Sequence, residues 1–351
     1  MLFQERVPLA PYTTFKIGGP ARWFAEATTE AEVAEGVEFA RSRDLRLFVL
    51  GGGSNLLVSD AGFLGLVLHM VLKGIREEPD GSHRIVSAAA GENWDDLVGH
   101  AVSCNYQGIE CLAGIPGTVG GTPVQNVGAY GQEVASTIIA VRALDTELDR
   151  FVDLSPEECG FAYRSSIFNG AQRGRYIVTR VAYRLASGAP PEIFYRDLVQ
   201  YFKVQYSKEK PAPTIADVAG AVREIRRRKG MLIVPGDPDC LSAGSFFKNP
   251  VVPAAALDRI QQGLPNSSTE APSYPAGDGM VKIPAAWLVE QAGFHKGFEL
   301  GRAGISSRHS LALINRGGAS AGDIAALRDE IVAAVLDRFG VRLQPEPVWV
   351  S

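Results

Sequence analysis

The run AGIPGTVGGTPVQNVGAYG, residues 113–131, holds six glycines, two prolines and no charged side chain. Such a run cannot build a core from its own side chains, so what lies against it must set its shape. Glycine marks positions where φ turns positive or where another group approaches the backbone closely. With so little side-chain bulk, the backbone amides become the main polar surface, and successive amides in a turn make a seat for phosphate oxygens. Ile115, Val119, Val124 and Val127 interrupt the run where a flexible linker would carry polar residues. A ligand-facing loop is therefore favoured over a surface linker.

A second glycine cluster lies about sixty residues upstream. Thr29 with Glu32 fits a capping box that opens a helix, and Val33, Val37 and Ala40 share one helical face. The apolar stretch LRLFVL, 45–50, reads as a buried strand, and GGGSN, 51–55, follows it directly. A Rossmann fingerprint would need G-x-G-x-x-G opening a helix at that point, but the residues after Asn55 are strand-like. Neither that fingerprint nor GxxxxGK[ST] occurs in the chain. The chain has glycine-rich nucleotide loops without either common nucleotide fold. Ser54, Asn55, Thr122, Gln125 and Asn126 supply small hydrogen-bonding side chains to the two loops, suited to a large dinucleotide with a ring system.

The 351 residues predict two or three domains, and 46% hydrophobic with 21% charged residues is an ordinary globular balance. A net charge of −4 with no basic arm gives no reason to expect nucleic acid. No apolar run reaches the ~18 residues of a membrane helix, and the first residues lack a basic segment followed by an apolar one. Cys104, Cys111, Cys159 and Cys240 form no CxxC pair and are expected as reduced thiols of a cytoplasmic protein. His69, His83, His100, His295 and His309 show no HExxH-type spacing, so no metal is expected.

The remaining pattern mixes helices and strands, an α+β arrangement. Strands are expected at 84–90, 138–144, 150–154 and 176–185, and a helix at 92–106 with Trp94, Leu97, Val98 and Ala101 on one side. The stretch 187–215, rich in proline and aromatics, reads as an insertion or a boundary. DVAGAVREIRRRK, 217–229, is a basic helix whose charges are expected to be solvated. An irregular segment spans 261–282, and a helix is expected at about 284–292. A long helix at 321–338 should turn Ile324, Leu327, Ile331, Val335 and Leu336 inward, with Gly340 as its stop. The end, VRLQPEPVWV, reads as a strand. No internal repeat is found.

Taken together, seven segments resemble the UDP-N-acetylenolpyruvoylglucosamine reductases. They are TTFKIGGPA (13–21), VLGGGSNLLVSD (49–60), the glycine run at 113–131, FAYRSSIF (161–168), SAGSFFKNP (242–250), AAWLVEQAGFHKG (285–297) and LQPEP (343–347). They stand in the family's order over nearly the whole chain. The resemblance implies a two-subdomain FAD-binding fold of the vanillyl-alcohol oxidase type plus a C-terminal α+β substrate domain. It places the first subdomain at 1–66, with the strand at 344–351 returning to it. The second lies at 67–216, with the insertion at 187–215 characteristic of the longer, type I members. The substrate domain covers 217–343.

It further implies noncovalent FAD, NADPH as hydride donor, a UDP-sugar substrate and a monomer. No membrane or nucleic-acid partner is implied. The cofactor positions carried over are Gly51, Gly52, Gly53, Ser54, Asn55, Ile115, Gly120, Gly121, Thr122, Pro123, Asn126, Gly128 and Ile177. The substrate positions are Tyr130, Tyr163, Tyr195, Lys229, Asn249 and Gln291. The residues from Lys229 to Ser245 form a longer segment than in many members, which leaves the matching lysine ambiguous. Tyr195 in the insertion is expected to lid the site.

Arg164, Ser245 and Glu346 match the family's catalytic positions. Hydride addition to the far carbon of an enolpyruvyl double bond leaves negative charge on the carbon that bears the carboxylate. A planar guanidinium, Arg164, suits that enolate. A donor at hydrogen-bond range, Ser245, must then protonate the carbon. Glu346 orients the carboxyl end or holds an acidic proton against it. Two alternatives stand at this stage: a flavin oxidase of the same fold with another substrate, and a noncatalytic flavin-binding module. Neither needs any of the three residues, since neither has an enolate to protonate. SAGSFF is not the G-x-S-x-G elbow of a serine hydrolase.

Overall fold

Thr29 opens the first helix, α1 (Glu30–Ser42): its side chain accepts from the Glu32 amide while Glu32 reaches back, the expected capping box. Val33, Val37 and Ala40 are buried, and the chain then enters the strand Leu47–Leu50. In the computed structural model, which describes residues 1–205, 212–264 and 270–351, the chain divides into two units. The first comprises Met1–Val7, Ala21–Gly53 and Leu64–Arg227, and the second Pro8–Pro20, Ser54–Phe63 and Arg228–Ser351.

The first unit contains two larger sheets and the two-stranded pair Gly128–Ala129 with Gln132–Glu133. One runs in the order Gln4–Pro8, Pro20–Ala27, Phe63–Met70, Leu47–Leu50, and its last pair is parallel, with Leu47 opposite Leu66. The other is antiparallel, in the order Arg150–Leu154, Ile138–Asp145, Tyr176–Ser187, His83–Ala89, Ile75–Asp80; Tyr106–Gln107 pairs with the end of Tyr176–Ser187. Four of these are the strands expected at 84–90, 138–144, 150–154 and 176–185, whereas Ile75–Asp80 and Tyr106–Gln107 are not anticipated by the sequence reading. Helix α2 (Trp94–Ser103) is capped by the Asn93 side chain, and Trp94, Leu97, Val98 and Ala101 are buried as expected. The short helix α3 (Pro156–Cys159) ends on Gly160.

Within the insertion, Arg196–Gln205 forms a helix, α4, that sequence reading does not anticipate; Leu198 and Phe202 anchor it in the core. Residues 206–211 of the insertion lie outside the described residues. The basic helix is α5 (Ile215–Arg228). It packs into the first unit, so the division falls at Arg227 rather than at 217.

The second unit is built on α6 (Ala256–Gln262), α7 (Ala285–Gln291) and α8 (Ala321–Phe339), with short sheets around them. Ile324, Leu327, Ile331 and Val335 are buried in its core with Phe15, Phe246, Phe247 and Leu288. Leu336, expected inward, is 39% exposed, because it falls one step beyond the buried stripe of α8. Gly340 stops the helix at φ 68, the left-handed position that glycine takes cheaply. The terminal strand is shorter than expected: only Val348–Val350 pairs, parallel to Leu56–Val58 of the same unit. The segment 261–282 holds the short strands Tyr274–Pro275 and Met280–Lys282, while 265–269 lie outside the described residues.

Candidate active site

The glycine run is laced onto the start of α2. The amides of Val119 and Gly120 donate to the carbonyls of Glu92 and Ala90, each at 2.9 Å, and the Trp94 amide donates to the Gly117 carbonyl at 3.1 Å. Gly121 and Thr122 donate to Thr118 and Val119 in a tight turn. These four loop amides, Val119 to Thr122, are engaged within the chain. The glycines fall into two kinds. A Cβ on Gly120 would lie 2.6 Å from the Ala90 Cβ, so that glycine serves packing. A Cβ on Gly121 would meet nothing within 4 Å, so the space beside it is open.

The two glycine loops also touch each other. A Cβ on Gly52 would lie 2.6 Å from the Gly117 Cα, and one on Gly51 would lie 2.7 Å from the Thr118 Oγ1. Backbone meets backbone with no room for a side chain between them. The amides of Val119 to Thr122 are therefore not the phosphate seat expected of this run, but the open space beside Gly121 leaves room for a cofactor to lie against the loop, which is compatible with FAD.

Asp95 and α5 fix the entrance of the run. Gly114, at φ 72, donates its amide to Asp95 Oδ1 at 2.6 Å, and its carbonyl accepts from Arg226 Nε at 3.1 Å. Arg223 closes the clamp with a two-pronged pair to Asp95 at 2.6 and 2.7 Å. Arg226 is only 8% exposed. Burial pulls its pKa below the ordinary arginine value, against the opposing pull of Tyr130 and Asp95, and a guanidinium stays charged regardless. The expectation of a solvated face on α5 therefore fails at Arg226, whose partners lie more than a hundred residues away in the chain.

Arg164 sits in a tight turn closed by reciprocal bonds between Ala162 and Ser165, and it carries φ 54. A left-handed conformation at a bulky residue costs about 1–2 kcal/mol, a strain found mostly at functional positions. Its guanidinium donates to the carbonyls of Gly128 at 2.8 Å and Asn126 at 3.4 Å, with its centre 5.5 Å from the Tyr163 ring. The structure thus joins Arg164 to the far end of the glycine run. Tyr130, also left-handed at φ 49, meets the Tyr195 ring edge-on at 5.6 Å. Tyr163 and Tyr195 are exposed.

Several expected cofactor side chains point into the protein instead. The Thr122 hydroxyl donates to the Val119 carbonyl and pairs with the Tyr183 hydroxyl at 2.7 Å. Asn126 is 1% exposed; its amide donates to Glu133 and the Ala162 carbonyl and accepts from the Ala135 amide. Ile177 is buried in one core cluster of the first unit, and Ile115 packs against another. A Cβ on Gly128 would strike Glu133. Pro123 sits in the same turn, and Gln125 has a partner of its own.

In the second unit, Gly244 at φ 72 precedes Ser245. The next residues zip onto the C-terminal segment through backbone: the Lys248 amide donates to the Gln344 carbonyl at 3.0 Å, and the Glu346 amide donates to the Phe246 carbonyl at 2.8 Å. Glu346 therefore lies across from Phe246, one residue from Ser245. The Asn55 side-chain Nδ2 donates to the Glu346 backbone carbonyl at 3.3 Å, and the Val348 backbone amide donates to the Asn55 carbonyl, which brings GGGSN's last residue to the same place. Ser54 accepts from the Thr14 hydroxyl at 3.5 Å. The Asn249 carbonyl oxygen caps α7 through the Ala285 amide, and the Gln291 backbone carbonyl accepts from Arg338. Lys229 follows α5 directly and is half-buried.

Sequence reasoning missed Asp95, Arg223 and Arg226, and also Asp239. Asp239 accepts from the Ser307 amide and hydroxyl and from Arg308, six residues before Ser245. Burial pushes its carboxyl up, but those hydrogen bonds overcome it and hold the pKa below the usual carboxylate range.

Known proteins align with both units. Residues 237–350 match the family model described as UDP-N-acetylenolpyruvoylglucosamine reductase, C-terminal domain, and residues 21–151 match one described as FAD binding domain. The UDP-N-acetylenolpyruvoylglucosamine reductase of Thermobifida fusca is 45% identical over 355 residues, covering 99% of this chain and 98% of that protein. That of Streptomyces coelicolor is 45% identical over 350 residues, covering 98% of this chain and 89% of that protein. The crystal structure of the same reductase from Thermus caldophilus matches over the whole of both chains with a TM-score of 0.64 at 26% identity. No helix among the described residues is long and apolar enough to cross a membrane. This chain belongs to the UDP-N-acetylenolpyruvoylglucosamine reductase family of FAD-containing oxidoreductases.

Proposed function

We propose that the protein reduces the enolpyruvyl group of UDP-N-acetylglucosamine enolpyruvate to UDP-N-acetylmuramate with NADPH, a step of peptidoglycan precursor synthesis. The observation that carries the reading is the matching of both units to a reductase family with Arg164, Ser245 and Glu346 in its motifs. The chemistry FAD supplies when bound is relay of hydride from NADPH to the terminal enolpyruvyl carbon. Backbone of the two glycine loops would hold it, with the open space beside Gly121 supporting that placement.

The chain's own side chains handle charge and the proton. Arg164 is held rigidly by the Gly128 carbonyl and the strained turn, so its fork is presented without reorganisation to the carboxylate on which charge develops. Ser245 delivers the proton to the carbon next to that carboxylate. Glu346, fixed by its pairing with Phe246, orients the substrate's carboxyl end. Tyr130, Tyr163, Tyr195, Lys229, Asn249 and Gln291 bind the UDP-sugar, with Tyr195 closing over it and Lys229 on the diphosphate.

The test is a purified yellow protein that consumes NADPH rapidly only when the enolpyruvyl UDP-sugar is added. A colourless protein, or oxidation of NADPH indifferent to that sugar, contradicts the reading.

A further inference from the structure

The far end of α2 carries a cluster with no part in the flavin chemistry. His100 and Cys104 stand four residues apart, so their side chains share one face of the last helical turn. The strand Ile75–Asp80 brings Glu77 against them. His100 Nε2 hydrogen bonds to Glu77 Oε1 and lies 4.0 Å from Cys104 Sγ. The three donor atoms all lie within 4.8 Å of one another. Tyr106, largely buried, donates its hydroxyl to the other carboxylate oxygen, Glu77 Oε2, at 2.9 Å, which leaves Oε1 turned toward the imidazole.

We propose that Glu77, His100 and Cys104 form a binding site for a zinc-class divalent cation, with Tyr106 holding the carboxylate in place. Thiolate, imidazole and carboxylate are the donor set of zinc, and bond lengths of about 2.0–2.3 Å put tetrahedral donors roughly 3.3–3.6 Å apart. The cluster reaches that spacing by small side-chain rotations: the His100–Glu77 pair opens and the thiol moves in. The thiol gives up its proton on coordination, and water fills the fourth position. The Tyr106 bond to Glu77 is the outer-layer contact that fixes a ligating carboxylate. Arg84 lies close enough to act on Glu77 and weakens the hold on any cation, which makes this an exchangeable site. The sequence spells the helical half, H-A-V-S-C, but not the strand that completes it.

The thiols themselves provide the test. Cys104 is exposed, whereas Cys111, Cys159 and Cys240 are buried. Burial also pushes the Cys111 and Cys159 thiols up to about 12, so neither is nucleophilic near neutrality. A chromogenic disulfide reagent should therefore titrate one thiol of the folded, FAD-loaded, chelator-treated protein. Zinc at ten times its dissociation constant leaves about a tenth of the protein metal-free, so the reaction should slow about tenfold. Tyr106→Phe should need about 10–100-fold more zinc for the same protection, and Glu77→Gln and His100→Gln should lose it. Cobalt should give a thiolate charge-transfer band in the native protein that Cys104→Ser lacks. An unchanged reaction rate with zinc, or equal protection in Glu77→Gln and His100→Gln, overturns the site.

Discussion

At the residue scale, the glycines of the long loop separate into those that shape the protein and those that make room. Gly120 and Gly121 are adjacent and indistinguishable in the sequence, yet a Cβ on the first meets Ala90 and on the second meets nothing. Gly120→Val overpacks the loop against the chain, at a typical cost of about 1–3 kcal/mol, and should lower the melting temperature. Gly121→Val should melt close to the native protein but, with FAD seated at this loop as proposed, purify with little flavin. The ratio of flavin to protein absorbance, read beside the melting temperature, checks both. Full flavin in Gly121→Val contradicts the placement of FAD at this loop. The same contrast explains Thr122 and Asn126: small polar residues in a glycine loop look ligand-facing in sequence. Their partners, Tyr183 and Glu133, lie in other segments.

At the scale of elements, the strands and helices with clean periodicity were legible, including the capping box of α1 and the glycine stop of α8. The unread parts depend on contacts between distant segments. Arg223 and Arg226 look like a charged, solvated helix face until Asp95 and Gly114 are brought against them. Helix α4 escapes notice because proline and aromatic content mask its short apolar stripe of Leu198 and Phe202. The segment 237–241 is similar: Arg308 and Ser307, some seventy residues on, tie Asp237 and Asp239 down ahead of Ser245. Because Asp239 titrates below its ordinary value in the folded state, it contributes stability above its unfolded pKa of about 3.9. That contribution is lost as pH falls through the lower, folded value. The urea midpoint of the native protein should thus drop on acidification below about pH 4. Asp239→Asn should be less stable at neutral pH, by about 1–3 kcal/mol for the donors it leaves unsatisfied, and should show a shallower acid dependence. A parallel acid dependence in the two proteins contradicts the assignment.

At the scale of the whole molecule, the ordered motifs pointed to the family before any fold was in view, and both family models and full-length relatives bear that out. What sequence order could not reveal is how each unit assembles its share. The first gathers 51–53, 113–131 and Arg164. The second zips Ser245 and Glu346 together through Phe246 and brings Asn55 to Glu346. The central claim, which rests on the proposed function, is that the protein performs two separable steps and that Ser245 serves only the second. NADPH oxidation involves no enolate, so it needs no proton donor beside the substrate carbon. Loss of a positioned general acid typically costs roughly 10²–10⁴-fold. The direct measurement is anaerobic stopped-flow flavin absorbance with native protein and Ser245→Ala. In both, NADPH should bleach the flavin at the same rate. Added enolpyruvyl UDP-sugar should restore the colour rapidly in the native protein and slower by at least about 10²-fold in the variant. Bleaching slowed as much as recovery, or recovery unchanged in Ser245→Ala, would contradict the account.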